Sequence, residues 1–204
     1  MIPPPLNVDT RAAERDDAPR IAADAPADAL PVVELFHSIQ GEGVRVGEPA
    51  TFIRLAGCNL RCSWCDTPYS WNAEGLRSAR RTSLTDIADE VRERAVVLTG
   101  GEPMLHHKKL GALISELRSR GALHITVETN ATIFAPDLID LVDLWSLSPK
   151  LPGSGEPFPT DTVGQTIAGA GAAGADGDRA RGERVQLKFV VVDLAADWAA
   201  MWTH

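Results

Sequence analysis

The stretch GCNLRCSWCDTPYSW, Gly57–Trp71, contains all three cysteines of the chain, Cys58, Cys62 and Cys65. Three thiols at the spacing C-x-x-x-C-x-x-C make poor disulfide partners, because one of them must be left over. A structural zinc site needs four protein ligands, so zinc would require a histidine from elsewhere in the chain. A [4Fe–4S] cluster takes four ligands, so three thiolates leave one iron open to a small chelating molecule. The missing fourth cysteine therefore points to function, and both kinds of metal site are open alternatives.

Length, composition and charge are those of one globular domain. The 204 residues are enough for a domain with its own core, and 44% of them are hydrophobic. A formal net charge of -8, without a basic stripe, argues against direct binding to a nucleic acid. No apolar run approaches the ~18 residues of a membrane-spanning helix, and the N-terminus has no apolar signal segment. These features predict a cytoplasmic protein without membrane contact, in which thiols stay reduced.

Two segments are predicted to lie outside the ordered core. Residues 1–30 are rich in Ala, Asp, Pro and Arg and lack apolar periodicity, which is typical of a disordered N-terminal extension. IAGAGAAGADGDRARGER, residues 167–184, is low in complexity and predicts a flexible surface insertion. One domain is therefore expected over residues 31–204, interrupted by this Gly/Ala-rich insertion.

Six apolar segments are predicted as strands: PVVELFHS, ATFIRLAG, AVVLTGGEP, HITVETN, LWSLSPK and VQLKFVVV. Helical patterns alternate with them in SLTDIADEVRER, KKLGALISELRSR and PDLIDLVD. Ser83 can cap the first of these, and Pro136 suits the first turn of the third. Strands that alternate with helices predict an α/β fold with a parallel sheet, as an open or partial (β/α) barrel. The pattern alone also allows a flat, doubly wound sheet.

A second motif, TGGEP over Thr99–Pro103, closes one of the apolar runs. Its glycines allow the backbone to approach a ligand closely, and Glu102 can accept a hydrogen bond from an ammonium group. Together with the cysteine spacing and Trp64, this motif resembles the radical S-adenosylmethionine (SAM) superfamily. In that superfamily the amino and carboxylate groups of SAM chelate the open iron, and reductive cleavage of SAM yields a 5′-deoxyadenosyl radical. The resemblance implies a [4Fe–4S] cluster on the three cysteines and a modified partial (β/α) barrel of radical SAM type.

The flanking sequence resembles one family within this superfamily. FHSIQGEG, Phe36–Gly43, and GEPATFIRLAGCNLRCSWCDT, Gly47–Thr67, are similar to the 7-carboxy-7-deazaguanine synthases. This implies a small, trimmed barrel, a homodimer and a lyase that converts 6-carboxy-5,6,7,8-tetrahydropterin to 7-carboxy-7-deazaguanine with loss of ammonia. It also implies Mg2+ and an electron donor of the flavodoxin or ferredoxin type. The product serves queuosine in tRNA or deazapurine natural products.

The resemblance carries the family's site residues over by position. Those implied to bind SAM are Trp64, Cys65, Asp66, Gly101, Glu102, Ser148, Pro149 and Lys150. Those implied to bind the pterin are Ile39, Gln40, Gly41, Arg54 and Thr99, and the pocket is expected to include Glu128 and Asn130. Thr67 matches a Mg2+ ligand, and a hydroxyl oxygen suits this hard cation. Arg54 matches a contact to the pterin carboxylate. Arginine suits this role because its planar guanidinium pairs with carboxylates bidentately. Lys188 is a weaker candidate.

The chain departs from the family at its C-terminus. Family members continue past the LKFVV segment with a further strand and a segment that reaches the substrate, whereas this chain ends at His204. The C-terminal part of the barrel is therefore expected to be missing. The alternative functions are a glycyl-radical-enzyme activase of the same superfamily, a non-enzymatic zinc-binding module, and a family member that keeps cluster and SAM without catalysis. The residues Gln40–Gly43 and Cys65–Thr67 count against the activase.

Overall fold

The computed structural model describes residues 26–172 and 184–202. Seven strands lie in these segments: β1 (Leu30–Ile39), β2 (Pro49–Leu55), β3 (Arg80–Thr82), β4 (Ala95–Gly100), β5 (His124–Thr129), β6 (Leu144–Leu147) and β7 (Val185–Leu187). They form one sheet in the order β3-β1-β2-β4-β5-β6-β7. Over the described residues this sheet does not close, since β3 and β7 lie at its two edges. The predicted α/β fold with an open, partial barrel is confirmed.

The strand directions are mixed. β2, β4, β5, β6 and β7 run parallel, as the alternation of strands and helices predicts. β1 is antiparallel to both β2 and β3, so the prediction of a parallel sheet is wrong at this end. Residues 40–48 alone join β1 to β2, and this loop is too short for the crossover that a parallel pair needs. β3 is a short polar segment, RRT, and has no apolar pattern from which to predict it.

Five α-helices lie in the described segments: α1 (Ala73–Ser78), α2 (Leu84–Asp89), α3 (His107–Ser119), α4 (Thr160–Ala172) and α5 (Leu194–Met201). The Ser83 side chain caps α2 by accepting a hydrogen bond from Asp86 N. On α3 the predicted apolar face, Leu110, Ile114 and Leu117, is buried. These two helices are confirmed, although α2 is shorter than the pattern SLTDIADEVRER.

Two predicted elements are shorter than expected. PDLIDLVD forms only a 3-10 turn, Pro136–Leu138, because the chain must bury Leu138 and Val142 and re-enter the sheet at Leu144. The segment VQLKFVVV is a strand only over Val185–Leu187. Its partner β6 ends at Leu147, so the ladder has no further backbone to pair with.

The two faces of the sheet differ in character. The helix-covered face carries the main core, in which Ile53, Leu98, Ile125, Leu147 and Trp145 are buried. The alternate residues on these strands point to the other face, because side-chain direction alternates along a strand. That inner face has only a small apolar group, Ala50, Phe52, Ala95 and Val97, with Phe36 beside it. Several of its other positions are polar, among them Thr99, Glu128 and Ser146, which leaves room for a site at the carboxyl ends of the strands.

The predicted boundaries of the ordered domain need two corrections. Ala29 is buried and Lys109 Nζ donates to the carbonyl oxygens of Ala27 and Ala29, so order begins before residue 31. Residues 167–172 of the predicted insertion continue α4, where Ala170 is buried, since alanine favours helix. The rest of both predicted segments, 1–25 and 173–183, lies outside the described residues. In the described segments, no helix combines the length and apolar character needed to cross a bilayer.

Candidate active site

A cavity of about 730 Å³ lies where the parallel strands end. Ligands of barrels and open α/β sheets bind at this end of the strands, where the following loops converge. The cavity wall includes every predicted site residue except Glu102 and Pro149. The predicted residues that line it are Ile39, Gln40, Gly41, Arg54, Cys58, Cys62, Trp64, Cys65, Asp66, Thr67, Thr99, Gly101, Glu128, Asn130, Ser148 and Lys150.

The cysteine loop packs directly on the TGGEP turn. Gly57, which precedes the first cysteine, has φ +97°, a conformation that favours glycine. Its N–H donates to Ser70 O at 2.8 Å, and its carbonyl oxygen accepts from Glu102 N at 2.7 Å. A Cβ atom on Gly101 would lie only 1.9 Å from that same carbonyl oxygen. Glycine at position 101 is therefore required for the two motifs to be in contact.

A second set of contacts holds the cysteine loop from the side of residues 152–156. Ser63 N donates to Ser154 O at 3.0 Å, and Ser63 Oγ donates to Gly153 O at 3.2 Å. Arg61 N donates to Glu156 Oε1 at 2.5 Å. Gly153 N in turn donates to Asp197 Oδ1 at 2.7 Å, which connects this turn to α5. The backbone between the first and third cysteines is thus fixed by protein contacts.

The three cysteines are free and partly exposed. Burial raises the pKa of the Cys58 thiol, and a hydrogen bond from Leu60 N to its sulfur opposes the rise. Burial also raises the pKa of Cys62, and the positive charge of Lys150 opposes that rise. The negative charge of Cys65 contributes to both increases, so these thiolates lie near enough to repel one another. Three such thiolates are stable together when they share a cationic centre.

Glu102 does not face the cavity, because its side chain is fully buried behind the wall. Its Oε1 accepts from Met104 N at 2.9 Å and from Thr129 Oγ1 at 2.7 Å, and its Oε2 accepts from Asn130 N at 2.7 Å. Burial raises the pKa of Glu102, and these three hydrogen bonds oppose the rise. The contact of Glu102 with an ammonium group of SAM stays a prediction, since its carboxylate does not line the cavity and already accepts three hydrogen bonds from the protein. Glu102 ties the TGGEP turn to the end of β5.

The segment after β6 presents Ser148 and Lys150 to the cavity and buries Pro149 between them. Lys150 Nζ donates to Ser148 Oγ at 3.0 Å and lies 5.2 Å from the centre of the Trp64 ring. Burial lowers the pKa of Lys150, and negative charge on Cys62, Glu102 and Cys58 acts in the opposite direction. Pro149 does not line the cavity, and its contact with SAM stays a prediction.

A connected wall of polar side chains surrounds Glu128. Its Oε1 accepts from Gln40 Nε2 at 3.2 Å, and its Oε2 accepts from Thr99 Oγ1 at 3.2 Å. Lys188 Nζ lies 3.4 Å from Glu128 Oε1 and 2.9 Å from Glu42 Oε2. Burial lowers the pKa of Lys188, but the two carboxylates raise it by more, so the net shift is upward. Such a wall can bind a heterocycle that carries both hydrogen-bond donors and acceptors.

Comparison with known proteins agrees with this geometry. The model of the radical SAM superfamily matches residues 52–144. The 7-carboxy-7-deazaguanine synthase of Halobacterium salinarum is 42% identical over 187 residues, which are 83% of this chain and 66% of that protein. The protein of the same name from Rhodopirellula baltica is 46% identical over 140 residues, 65% of this chain and 52% of that protein. The chain belongs to the 7-carboxy-7-deazaguanine synthase family of radical SAM proteins.

The chain spans about half to two thirds of the length of the curated synthases it matches. The crystal structure of QueE from Escherichia coli superposes with a TM-score of 0.57 at 24% identity, over 87% of this chain and 90% of that chain. At that identity the likeness concerns the fold. Membership of the radical SAM superfamily implies a [4Fe–4S] cluster and SAM.

The residues present fit this radical SAM cofactor set. Among residues 26–172 and 184–202, no three His, Cys, Asp or Glu side chains converge as they would around one metal ion. The zinc module is therefore not favoured, because a closed zinc site needs four converging ligands. Three separate thiols at one cavity suit a cluster instead, since each binds a different iron. Trp64 Nε1 is buried and has no hydrogen-bond partner in the described part of the chain, which leaves one donor for a ligand.

Arg54, the residue matched to a substrate carboxylate in the synthase family, is held in place by the protein itself. Its Nε donates to Glu34 Oε1 at 2.6 Å, and its Nη1 donates to Gly100 O at 3.1 Å. The guanidinium carbon also lies 5.9 Å from the ring centres of Phe36 and Tyr69. A substrate carboxylate at Arg54 would therefore share the guanidinium with Glu34.

Two further positions carried over from the synthases are partly committed to local contacts. Asn130 Nδ2 donates to Asn59 Oδ1 at 2.9 Å, so Asn130 joins the end of β5 to the cysteine loop. Thr67 O accepts from Ser70 Oγ at 2.8 Å, and Thr67 Oγ1 lies 3.9 Å from Cys65 Sγ. The Thr67 hydroxyl thus lies beside a cysteine at the cavity wall.

Several lining residues are not recognisable from motifs. Phe36 and Phe52 stack with ring centres 4.9 Å apart and form an apolar part of the wall. Strand alternation could have placed Phe52 on the face of Arg54. Trp71 lies within the quoted cysteine stretch and also lines the cavity, but its type alone does not distinguish it from a core aromatic. Phe189 also lines the cavity and directly follows Lys188, which is only a weak candidate from the sequence.

Proposed function

We propose that this chain carries out the reaction for which its relatives are named. This reaction converts 6-carboxy-5,6,7,8-tetrahydropterin to 7-carboxy-7-deazaguanine with loss of ammonia. The observation that carries the proposal is one cavity bordered by the three cysteines and by the polar wall around Glu128. A radical generated beside the cysteines would have its target within the same cavity. The product would serve queuosine or deazapurine biosynthesis.

Cys58, Cys62 and Cys65 would hold the [4Fe–4S] cluster. When bound, the cluster and SAM supply hydrogen-atom abstraction by a one-electron route. The side chains of Trp64, Asp66, Ser148 and Lys150, together with the backbone at Gly101, would position SAM: these groups border the cavity on the cysteine side of the sheet. The free indole N–H of Trp64 and the ammonium of Lys150 both suit an anionic or polar ligand.

The polar wall would bind the pterin. Ring N–H and amino groups of a pterin are donors, and Glu128 is the acceptor at the centre of the wall. Gln40 and Thr99 would exchange hydrogen bonds with the ring, and Ile39, Gly41 and Asn130 also line the cavity. Phe36 and Phe52 provide an apolar surface on which a flat ring can stack. Arg54 is the candidate for the substrate carboxylate.

Further parts of the proposal follow from family resemblance. Thr67 would contribute one oxygen ligand to Mg2+, with substrate oxygens and water completing the octahedron. A homodimer, a low-potential donor of flavodoxin or ferredoxin type and a cytoplasmic location are proposed on the same basis. One radical SAM domain would include the residues from Ala27 onward that pack on the sheet and on α3.

The test is anaerobic reconstitution with iron and sulfide, followed by incubation with SAM, dithionite, Mg2+ and the pterin. Mass spectrometry should detect 7-carboxy-7-deazaguanine with the native chain and not with Cys62→Ala. Arg77→Gln, at an exposed position on α1, serves as the matched control and should retain the native rate. A protein that binds the cluster and SAM but forms no product would contradict the proposed activity.

A further inference from the structure

Trp71 donates a hydrogen bond from its indole Nε1 to Cys65 Sγ at 3.3 Å. The residue follows the 3-10 turn Pro68–Ser70, and its backbone N–H donates to Pro68 O at 3.2 Å. This hydrogen bond fixes the backbone from which the indole ring extends. The ring also lines the cavity. The donor of this contact is thus held in place by the turn that follows the third cysteine.

Arg61 lies over the face of the same ring, with its guanidinium carbon 4.4 Å from the ring centre of Trp71. Its Nη1 donates to Cys58 O at 2.8 Å and to Leu60 O at 2.7 Å, so the guanidinium is held in that position. A cation over the ring withdraws electron density from it and makes the indole N–H a stronger donor. The positive charge also lies beside the backbone of Cys58.

The other tryptophan of the loop provides a contrast. Trp64 Nε1 has no hydrogen-bond partner in the described part of the chain, although its ring has Lys150 beside it. Proximity of an indole to the cysteines therefore does not by itself produce an N–H···S contact. The contact at Trp71 is specific to the turn that carries it.

We propose that Trp71, assisted by Arg61, raises the reduction potential of the cluster by hydrogen bonding to the sulfur of Cys65. The inference rests on the proposed function for the presence of the cluster. Trp71 acts here as a positioning and tuning residue.

The direction of the shift in reduction potential follows from the charge of the two redox states. The couple is [4Fe–4S]2+/+, and the one electron taken up comes from an external low-potential donor. The added negative charge is shared by the cysteine sulfurs, so a donor to sulfur stabilises the reduced state more than the oxidised state. Hydrogen bonds to the sulfurs and solvent exposure are among the factors that set cluster potentials. Loss of the Trp71 donor should therefore make the cluster harder to reduce.

The experiment is a redox titration followed by EPR on the reconstituted chain without SAM, comparing the native protein with Trp71→Phe. Phenylalanine keeps an aromatic ring and removes the N–H. We expect the ratio of reduced to oxidised cluster at a fixed potential to fall about tenfold, equivalent to 59 mV for one electron. Trp145→Phe is the control, because this buried indole lies in the helix-side core and should leave the potential unchanged.

A second measurement gives its main result on the native protein. Pulsed EPR of the reduced native protein labelled with 15N in its tryptophan indoles should show a coupling to one nitrogen, and Trp71→Phe should lack it. An unchanged potential in cluster-loaded Trp71→Phe, or no 15N coupling in the native protein, would overturn the inference. If Trp71→Phe does not bind a cluster, the 15N coupling in the native protein tests the inference. Iron and sulfide analysis of the native protein separately tests whether a cluster is bound at all.

Discussion

Gly43 lies directly against the side chain of Gln186, so closely that a Cβ atom on Gly43 would be 2.3 Å from Gln186 Oε1. The same oxygen accepts from Val44 N at 2.8 Å, and Gln186 Nε2 donates to Ser146 Oγ at 2.8 Å. The loop between the first two strands is thereby attached to β7 at the far edge of the sheet. Gly43 also has φ +72°, which few other residues adopt without strain.

Gly43→Ala should therefore detach this loop from β7 and weaken substrate binding. We expect kcat/KM for the pterin to fall about tenfold, which corresponds to about 1.4 kcal/mol. Steady-state kinetics would measure it. The single variant Gln186→Ala removes the same attachment without straining the backbone of residue 43, so it should show part of the loss. A native rate in Gln186→Ala would rule out loss of this attachment as the cause.

Gly101→Ala should prevent correct packing of the cysteine loop, because its Cβ would lie 1.9 Å from Gly57 O and 3.2 Å from Cys58 Cβ. The backbone must shift, and overpacking of this kind costs about 1–3 kcal/mol. We expect a lower free energy of unfolding by urea and a large loss of bound iron after reconstitution.

Gly164→Ala is the matched control for Gly101→Ala, since no atom lies within 4 Å of its added Cβ and the residue is inside α4. It should bind iron as the native chain does and gain about 0.5–1 kcal/mol of stability, because alanine is the better helix former. Equal iron content in the two variants would contradict the packing argument.

Lys188→Met should weaken binding of a substrate that carries a carboxylate, because the substitution leaves Glu128 and Glu42 without their shared counter-charge. We expect kcat/KM for the pterin to fall about tenfold, or about 1.4 kcal/mol. Lys108→Met, at an exposed position on α3, should have no effect. Since Lys188 acts through Glu128, the double variant with Glu128→Gln should be less impaired than additivity predicts, and strict additivity would count against the contact.

His106 should make stability depend on pH. Burial lowers its pKa from the ordinary 6.5, and the hydrogen bond that Nε2 donates to Ala56 O opposes the shift. The unfolded chain therefore takes up a proton at a higher pH than the folded chain. The stability contributed by neutral His106 is full above about pH 6.5 and is lost as pH falls from there through the lower folded-state pKa.

Urea denaturation at pH 7.5 and 5.5 would measure this effect. The native chain should lose more stability between the two values than His106→Gln does. His107→Gln removes the adjacent imidazole without touching the Ala56 carbonyl, so it should behave as the native chain. The same pH dependence in His106→Gln and the native chain would exclude His106 as the source.

The sequence predicts the site well where function depends on strand ends. Thr99 and Glu128 lie near the carboxyl ends of buried parallel strands and Ser148 directly follows one, and that position brings all three to one cavity. The side-chain direction of Glu102 depends instead on donors from the TGGEP turn and from the end of β5, which no local pattern contains. The antiparallel β1 likewise depends on loop length and on pairing with the distant, polar β3.

The cysteine loop is held by contacts that do not involve the three thiols, because Gly57, Arg61 and Ser63 each have backbone or side-chain partners elsewhere in the chain. An iron–sulfur cluster exposed to oxygen can lose its iron while the protein stays folded. In this chain the same contacts would still hold the loop that carries the three sulfur ligands. Repair with iron, sulfide and reductant would then start from a loop that remains attached to the TGGEP turn and to residues 152–156.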